Sequence, residues 1–224
     1  MELEIIARVH TDFPTKFGLP RQAGLAALPA EIVFEPPFRD ASCIRGIGGW
    51  SHLWLIWQFD RAVASGWAPT VAPPKLGGKE RVGVFATRSP FRPNFMGLSC
   101  VRLEQVEEHT PRGPVLHVSG ADLADGTPIF DIKPYLPYAD SVPGAADAFA
   151  DKRRGELLQV DFPARWLEMI PEDKRAALLQ VLALDARPGY QDDPARRYGF
   201  PYAGFDVRFT VAEGRLTVVE VVRL

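Results

Sequence analysis

The stretch WSHLWLIWQF, residues 50–59, is strongly apolar and contains three tryptophans. Aromatic residues favour β-strands, where their broad faces pack on a pleated surface. The run is also too short to cross a membrane as a helix, which needs about 18 apolar residues. We therefore predict a buried strand at this position.

Shorter apolar runs lie on both sides of this stretch and are bounded by proline and glycine. They predict strands at residues 4–9, 31–35, 82–86, 98–106, 115–119 and 129–132. Strands are not regularly followed by helices, so a doubly wound α/β sheet fits poorly. The pattern favours a small antiparallel β-barrel.

The composition changes after Tyr138. Residues 141–154 are rich in Ala, Asp, Gly and Pro and read as a linker. Beyond them we predict a strand at 156–162, helical spacing over 164–184, and a hairpin of 205–211 and 216–222. The predicted fold is mainly β with an α+β appendage: a barrel domain at residues 1–142 and a small C-terminal α+β domain at 150–224.

Composition excludes several classes of protein. Hydrophobic residues make up 46% of the chain and charged residues 24%, which is typical of a globular protein with a core. The N-terminus has no basic region or cleavage site of a signal peptide, so we predict a cytoplasmic protein that does not contact membranes. Cys43 and Cys100 stand apart and are expected to be buried, reduced thiols. With four scattered histidines, this predicts no metal site.

Positive charge is concentrated in one segment. The net charge is −2, yet residues 75–102 contain one acidic residue, Glu80, and six basic ones: Lys75, Lys79, Arg81, Arg88, Arg92 and Arg102. Within this segment, FATRSPFRPN (residues 85–94) holds two arginines in a loop stiffened by prolines. Forked guanidinium donors suit phosphates and carboxylates. The alternative is a surface turn whose arginines form structural ion pairs.

Two further motifs carry polar groups. In DLADGTPIFDIKPYLPY (residues 122–138), Asp131 and Lys133 alternate with Ile132 and would share one face of a strand. The alternative is an Asp-Gly turn with a solvated salt bridge. In FGLPRQAGL (residues 17–25), the glycines allow backbone amides to approach a ligand, although from this segment alone a plain loop is the better interpretation. The sequence has no GxGxxG motif before a helix and no P-loop, so nothing indicates NAD or ATP.

Taken together, these motifs, with Ser51-His52-Leu53-Trp54, resemble the TrmO (TsaA-like) family of tRNA methyltransferases over most of residues 1–140. DARPGY (residues 185–190) and the terminal hairpin resemble the small C-terminal domain of its bacterial members. The resemblance implies methyl transfer from S-adenosylmethionine to threonylcarbamoyladenosine beside the anticodon of threonine tRNA. It also implies a homodimer with the cofactor near the subunit interface.

The resemblance implies the site residues as well. The expected cofactor contacts are Gln22, Ala23, Gly24, Leu25, Asp60, Arg61, Arg88, Leu98, Ala121, Asp122, Leu123 and Asp125. The candidates for accepting or relaying the proton of the acceptor nitrogen are Asp131, Lys133 and Tyr135, and solvent is an alternative. Lys75, Lys79, Arg81 and Arg92 would face the RNA backbone.

The chain departs from the family pattern twice. Asn94-Phe95-Met96-Gly97 replaces Asn-Pro-Ile-Gly, and Asp60-Arg61 replaces the His-Gln of some bacterial members. Two other functions fit the same sequence. One is a non-catalytic β-barrel that binds RNA or a nucleotide-like ligand, because a barrel alone does not imply an enzyme. The other is a methyltransferase with a different acceptor.

Overall fold

The computed structural model of the chain describes residues 2–73, 80–146, 148, 157–187 and 193–224. Its strands are β1 (Ala7–His10), β2 (Pro29–Phe34), β3 (His52–Gln58), β4 (Thr70–Val71), β5 (Val82–Gly83), β6 (Met96–Glu107), β7 (Val115–Ser119), β8 (Pro128–Pro134), β9 (Gln159–Asp161), β10 (Tyr198–Tyr202), β11 (Phe205–Ala212) and β12 (Arg215–Arg223). Its α-helices are α1 (Pro137–Asp140), α2 (Ala164–Leu167) and α3 (Glu172–Ala183).

Six strands close into an antiparallel barrel in the order β1-β2-β7-β6-β3-β8. Strand β3, the aromatic run of the sequence, pairs with β6 on one side and β8 on the other. Its side chains alternate: Leu53, Leu55 and Trp57 fill the barrel, while Trp54 and Ile56 lie on the outer face. The predicted barrel is therefore confirmed.

The antiparallel directions of the strands bring three connections to one end of the barrel, which we call the rim. They are residues 11–28 between β1 and β2, 59–95 between β3 and β6, and 120–127 between β7 and β8. The segment 11–28, hereafter the rim loop, is irregular throughout. The predicted cofactor motifs fall in these connections or in the first residues of β6.

A second sheet follows in the C-terminal part of the chain, with the order β10-β11-β12-β9. Its buried face packs against α3, which contributes Leu178, Val181 and Leu182. We call the described residues 157–187 and 193–224 the C-terminal unit. Its core also includes Phe13, Ala26 and Leu28 of the rim loop. The predicted boundary between two domains at residues 142–150 stays a prediction. The core of the C-terminal unit contains residues from both sides of that boundary.

Several local predictions need correction. The predicted helix over 164–184 is two helices, because Pro171, with an extended backbone, caps the start of α3. The predicted strand at 82–86 is only β5, followed by a 3-10 turn at Val84–Ala86. Strand β10 was not predicted, since Gly199 and Pro201 interrupt its apolar pattern. Cys43 is exposed and Cys100 half-buried, because both lie outside the barrel interior.

Within the described ranges, no helix is long and apolar enough to cross a membrane. Over the same residues, His, Cys, Asp and Glu side chains form no group of three that could hold a metal ion.

Candidate active site

The rim loop and the connection 120–127 approach each other through two glycines. The amide of Gly24 donates to the carbonyl oxygen of Gly120 at 2.9 Å. A Cβ atom on Gly120 would lie 3.3 Å from the Gly24 nitrogen, and Gly120 has a φ of +84°. Only glycine adopts that backbone conformation without strain. The expected cofactor segments 22–25 and 121–125 are thus brought side by side.

A hydrogen-bond chain runs from the barrel core to this point. Trp57 Nε1 donates to Ser99 Oγ at 3.0 Å, and Ser99 Oγ donates to Asp122 Oδ1 at 2.6 Å. Burial raises the pKa of Asp122, whereas the Ser99 hydrogen bond and the charge of Arg88 act in the opposite direction. A largely buried carboxylate beside a guanidinium is a typical perturbed group of a functional site.

Arg88 and Gln22 complete a polar cluster around Asp122. Arg88 Nη1 donates to Gln22 Oε1, so the proline-rich loop 85–94 contacts the rim loop directly. Arg88 is exposed, and its charge acts on Asp122. The cluster combines a carboxylate, a guanidinium and an amide within one part of the rim. Such a set can bind both ends of a zwitterion.

Arg61 joins the connections of the rim to one another. It donates to the carbonyl oxygens of Pro14 at 2.8 Å and Asp125 at 3.1 Å. Asp125 Oδ1 in turn accepts from the amide of Thr11 at 3.1 Å. Asp60 begins the 3-10 helix Asp60–Ser65. The Arg61 position therefore stabilises the rim through backbone carbonyls.

Two exposed leucines lie close in sequence to residues of the hydrogen-bond network around Asp122, Leu25 after Gln22 and Leu98 directly before Ser99. Leu25 is 51% exposed and Leu98 54% exposed, whereas Ala121 and Leu123 are buried in the barrel core. Exposed apolar side chains next to convergent polar groups are typical of a ligand site. Among the expected cofactor residues, Leu25 and Leu98 are therefore accessible to a ligand, whereas Ala121 and Leu123 support the connection 120–127 from the barrel core.

The three proton-transfer candidates lie on the outer face of the barrel. The register aligns Leu98, Ile56 and Asp131 across β6, β3 and β8, and the next row is Cys100, Trp54 and Lys133. Neighbouring strands are about 4.8 Å apart, so Asp131 lies about 10 Å across the face from Leu98.

Lys133 and Tyr135 extend this series of candidates away from the rim. Lys133 Nζ is 3.0 Å from Asp131 Oδ2 in an exposed ion pair. The Tyr135 ring lies 5.7 Å from that of Trp54. Its amide donates to the carbonyl oxygen of His52, at the opposite end of β3 from the rim. Of the three side chains, Asp131 is therefore nearest the cofactor segments along the strand.

Asp131 also borders an open cleft. The cleft is lined by Ile6, Phe34, Phe38, Cys43, Ile44, Ile47, Asp131 and Ile132. Its other walls are apolar, so the carboxylate is the charged group of that lining.

The predicted RNA contacts are only partly described. Lys75 and Lys79 lie outside the described residues. Arg81 donates to the Thr70 hydroxyl at 2.9 Å and to the Thr70 carbonyl oxygen at 2.6 Å. Arg92 Nη1 donates to the Thr87 carbonyl oxygen at 2.9 Å. Both guanidiniums stabilise their own loop through neutral oxygen atoms, whereas the structural alternative for residues 85–94 expected ion pairs. Each guanidinium has five N–H donors in total.

Sequence reasoning missed three residues of the site. Ser99 is 2% exposed and faces the barrel interior; a polar residue at an inward position of an alternating strand is the signal that marks it. Trp57 supports Ser99 from the core. His10 Nδ1 lies 3.3 Å from Asp125 Oδ1, a contact between distant segments that no local pattern reveals.

Comparisons with known proteins agree along the whole chain. Residues 8–141 match the tRNA-methyltransferase O N-terminal domain, and residues 156–224 match the TrmO C-terminal domain. The tRNA (adenine(37)-N6)-methyltransferase of Escherichia coli K12 is 38% identical over 226 residues, covering 97% of this chain and 96% of that protein. The protein of the same description from Eikenella corrodens is 42% identical over 177 residues, covering 77% of this chain and 96% of its own length. A crystal structure of TrmO from Pseudomonas aeruginosa has a TM-score of 0.78 at 33% identity and covers 99% of this chain and 98% of that chain.

Proposed function

Since the chain belongs to the tRNA-methyltransferase O family, we propose that it methylates N6 of adenosine 37 in tRNA, with S-adenosylmethionine as the donor. We further propose that the acceptor is threonylcarbamoyladenosine in threonine tRNA. The observation that carries the proposal is the match to the E. coli enzyme along both parts of the chain. The proposal is also supported by the rim, where the expected cofactor segments 22–25 and 121–125 lie side by side.

The polar cluster at the rim fits the donor. S-adenosylmethionine supplies a methyl group that is already activated on a sulfonium. Its amino-acid end needs both donors and acceptors, which Arg88, Gln22 and Asp122 offer within one cluster. Exposed Leu25 and Leu98 offer apolar surface for the remainder of the molecule. The chain's contribution is chiefly to hold the donor and the acceptor nitrogen in line.

Asp131 is our leading residue for the proton of the acceptor. The acceptor nitrogen of a threonylcarbamoyl group is ureido-like and a poor nucleophile, so a nearby proton acceptor assists its attack. The Asp131 carboxylate is on the same face as Leu98 and borders an apolar cleft. Lys133 Nζ lies 3.0 Å from Asp131 Oδ2. Tyr135 lies farther from the rim and would contact the acceptor rather than the donor.

The RNA would lie across the loop 80–95. Arg81, Arg88 and Arg92 give this loop its positive charge, and Lys75 and Lys79 are expected to extend it. Phe85 is 77% exposed in the same loop. Specific RNA recognition targets unstacked loop bases, which stack on aromatic side chains. Phe85 therefore suits an anticodon-loop base, while the arginines suit the phosphates.

The outer face of β6, β3 and β8 would form the homodimer interface. It presents Leu98, Ile56, Cys100, Trp54 and Tyr135 in adjoining rows. Contiguous apolar side chains on an outer surface are typical of a protein interaction site. A second copy on this face would cover side chains next to Asp131 and Leu98. The active site would then lie beside the subunit interface, as the resemblance implies.

Calorimetry with S-adenosylmethionine in the presence of EDTA tests the binding step. We expect saturable binding that EDTA does not weaken, because the proposed contacts need no metal. Asp122→Asn should weaken it, since the variant keeps the shape of the side chain and removes its charge. Asp131→Asn should bind the donor normally and lose turnover. Wild-type protein without detectable binding would contradict the proposed function.

A further inference from the structure

The rim loop has little structure of its own. Residues 11–28 contain no strand or helix, so few of their backbone groups are paired within the segment. A loop of this kind is ordered by what it contacts from outside. On the barrel side, Gly24 bonds to Gly120 and Gln22 accepts from Arg88. Thr11, Phe13, Pro14 and Leu28 also bond to the other rim connections. The remaining contacts described below join the loop to the C-terminal unit.

The first half of the rim loop is packed into the C-terminal core. Phe13 is 1% exposed, and its ring centroid lies 4.9 Å from that of Tyr202. Asp12 forms an ion pair with Lys174 of α3 at 2.6 Å. A Cβ atom on Gly18 would lie 2.7 Å from Phe200 Cγ. The backbone at Gly18 and the Phe200 ring are therefore in direct contact, with no room for a side chain between them.

Three hydrogen bonds fix the loop at Arg21, immediately before residues 22–25, and at Ala27, two residues after them. Arg21 Nη2 donates to the carbonyl oxygens of Arg187 at 2.9 Å and Asp185 at 3.3 Å. On the other side, the amide of Ala27 donates to Gln180 Oε1 of α3 at 2.8 Å. The proposed cofactor residues thus span the short distance between two attachments to the C-terminal unit.

We propose that the C-terminal unit sets the conformation of the cofactor-binding loop, with Gln180 and Arg21 as positioning residues for Gln22–Leu25. The inference rests on the proposed function for the identity of the ligand, S-adenosylmethionine. Gln180 reaches the loop through the hydrogen bond from the Ala27 amide to its Oε1. A binding loop needs such a supporting contact to hold its donors in place.

Gln180→Leu removes the acceptor at similar size, and Gln180→Glu restores an acceptor oxygen at the same place. Gln159→Leu is the matched control, because Gln159 Oε1 also accepts one hydrogen bond in the C-terminal unit, from Arg215 at 3.0 Å, and does not contact the rim loop. The full chain is titrated with S-adenosylmethionine by calorimetry. Hydrogen exchange of peptides covering residues 19–28 is measured without ligand.

Gln180→Leu should weaken cofactor affinity about 3- to 10-fold, the usual net worth of one hydrogen bond. It should also raise exchange in the rim loop and leave kcat at saturating cofactor and the KM for tRNA unchanged. Gln180→Glu and Gln159→Leu should match wild type. Unchanged affinity and exchange in Gln180→Leu, or equal loss in Gln159→Leu, overturns the inference. If wild-type protein fails to bind S-adenosylmethionine, the proposed function is overturned instead. The hydrogen exchange of residues 19–28 in Gln180→Leu would then decide whether Gln180 orders the rim loop.

Discussion

Gly97→Ala tests the packing that supports the rim. Gly97 lies opposite Trp57 in the β3–β6 register. A Cβ atom on Gly97 would lie 2.3 Å from Trp57 Cε2 and 2.4 Å from Cζ2. Carbon atoms pack at about 3.5–4.0 Å, so the indole ring would have to move by about 1 Å or more. Trp57 is only 8% exposed, and the surrounding core leaves it little room.

The cost has two parts. Overpacking of a core costs about 1–3 kcal/mol. Moving the indole also breaks the bond from Trp57 Nε1 to Ser99 Oγ, at 3.0 Å, which is worth about 1 kcal/mol. The free energy of unfolding should therefore fall by about 2–4 kcal/mol, and the melting temperature by roughly 4–16 °C for a chain of this size. Loss of the Ser99 support should also weaken cofactor binding at Asp122.

Gly83→Ala is the control for thermal unfolding followed by circular dichroism. Its added Cβ has no atom within 4 Å, and its φ of −58° suits any residue. Such a replacement is neutral or stabilises by up to about 1 kcal/mol. A Gly97→Ala protein that melts within about 1 °C of Gly83→Ala, well inside the expected shift, would refute the packing argument.

Three further predictions concern charge and association. Burial raises the pKa of Asp122 above its ordinary value of 3.8. The stability that this carboxyl contributes is therefore fully present below pH 3.8 and is lost as the pH rises through the pKa of the folded state. The melting temperature of Asp122→Asn without ligand should lack this pH-dependent loss, and parallel pH profiles of the variant and wild type would contradict the prediction. Arg92→Ala should reduce the slope of log affinity for tRNA against log salt concentration by roughly 0.7–0.9 per lost phosphate contact, whereas Arg92→Lys should retain the slope. An unchanged slope in Arg92→Ala would contradict the phosphate contact and leave Arg92 only its contacts within its own loop. Ile56→Lys should yield monomers in light scattering. Val222→Lys, at an exposed position of β12 in the C-terminal unit, should remain dimeric like wild type. A dimeric Ile56→Lys would exclude the proposed face.

The barrel was predictable because each of its strands carries its own local pattern. The apolar, aromatic run at residues 50–59 predicts a buried strand before any partner strand is known, and the structure confirms a strand there. Which of its side chains face the barrel interior is decided by the closed sheet, because the run is apolar on both faces. Strand β10 was not predictable in this way. Gly199 and Pro201 occupy its less buried positions, and Tyr198, Phe200 and Tyr202 become a strand face only through pairing with β11.

The candidate site was predictable as a set of loops but not as an arrangement. The motifs at residues 17–25, 85–94 and 122–138 locate the polar groups along the chain, yet the Arg88–Gln22 contact joins residues 66 positions apart. The attachment of the rim loop to Gln180 spans 153 positions. Contacts of this range depend on the closure of the barrel and the docking of α3, so no local pattern contains them.

Nucleoside mass spectrometry tests the central claim most directly. The full chain is incubated with isotopically labelled S-adenosylmethionine and threonine tRNA that carries threonylcarbamoyladenosine, and the tRNA is digested to nucleosides. We predict one labelled product, N6-methylated threonylcarbamoyladenosine, that is absent when the tRNA lacks the threonylcarbamoyl group. Label in another nucleoside would point to a different acceptor, and bound tRNA without label would point to a non-catalytic barrel. Either result would contradict the proposed function.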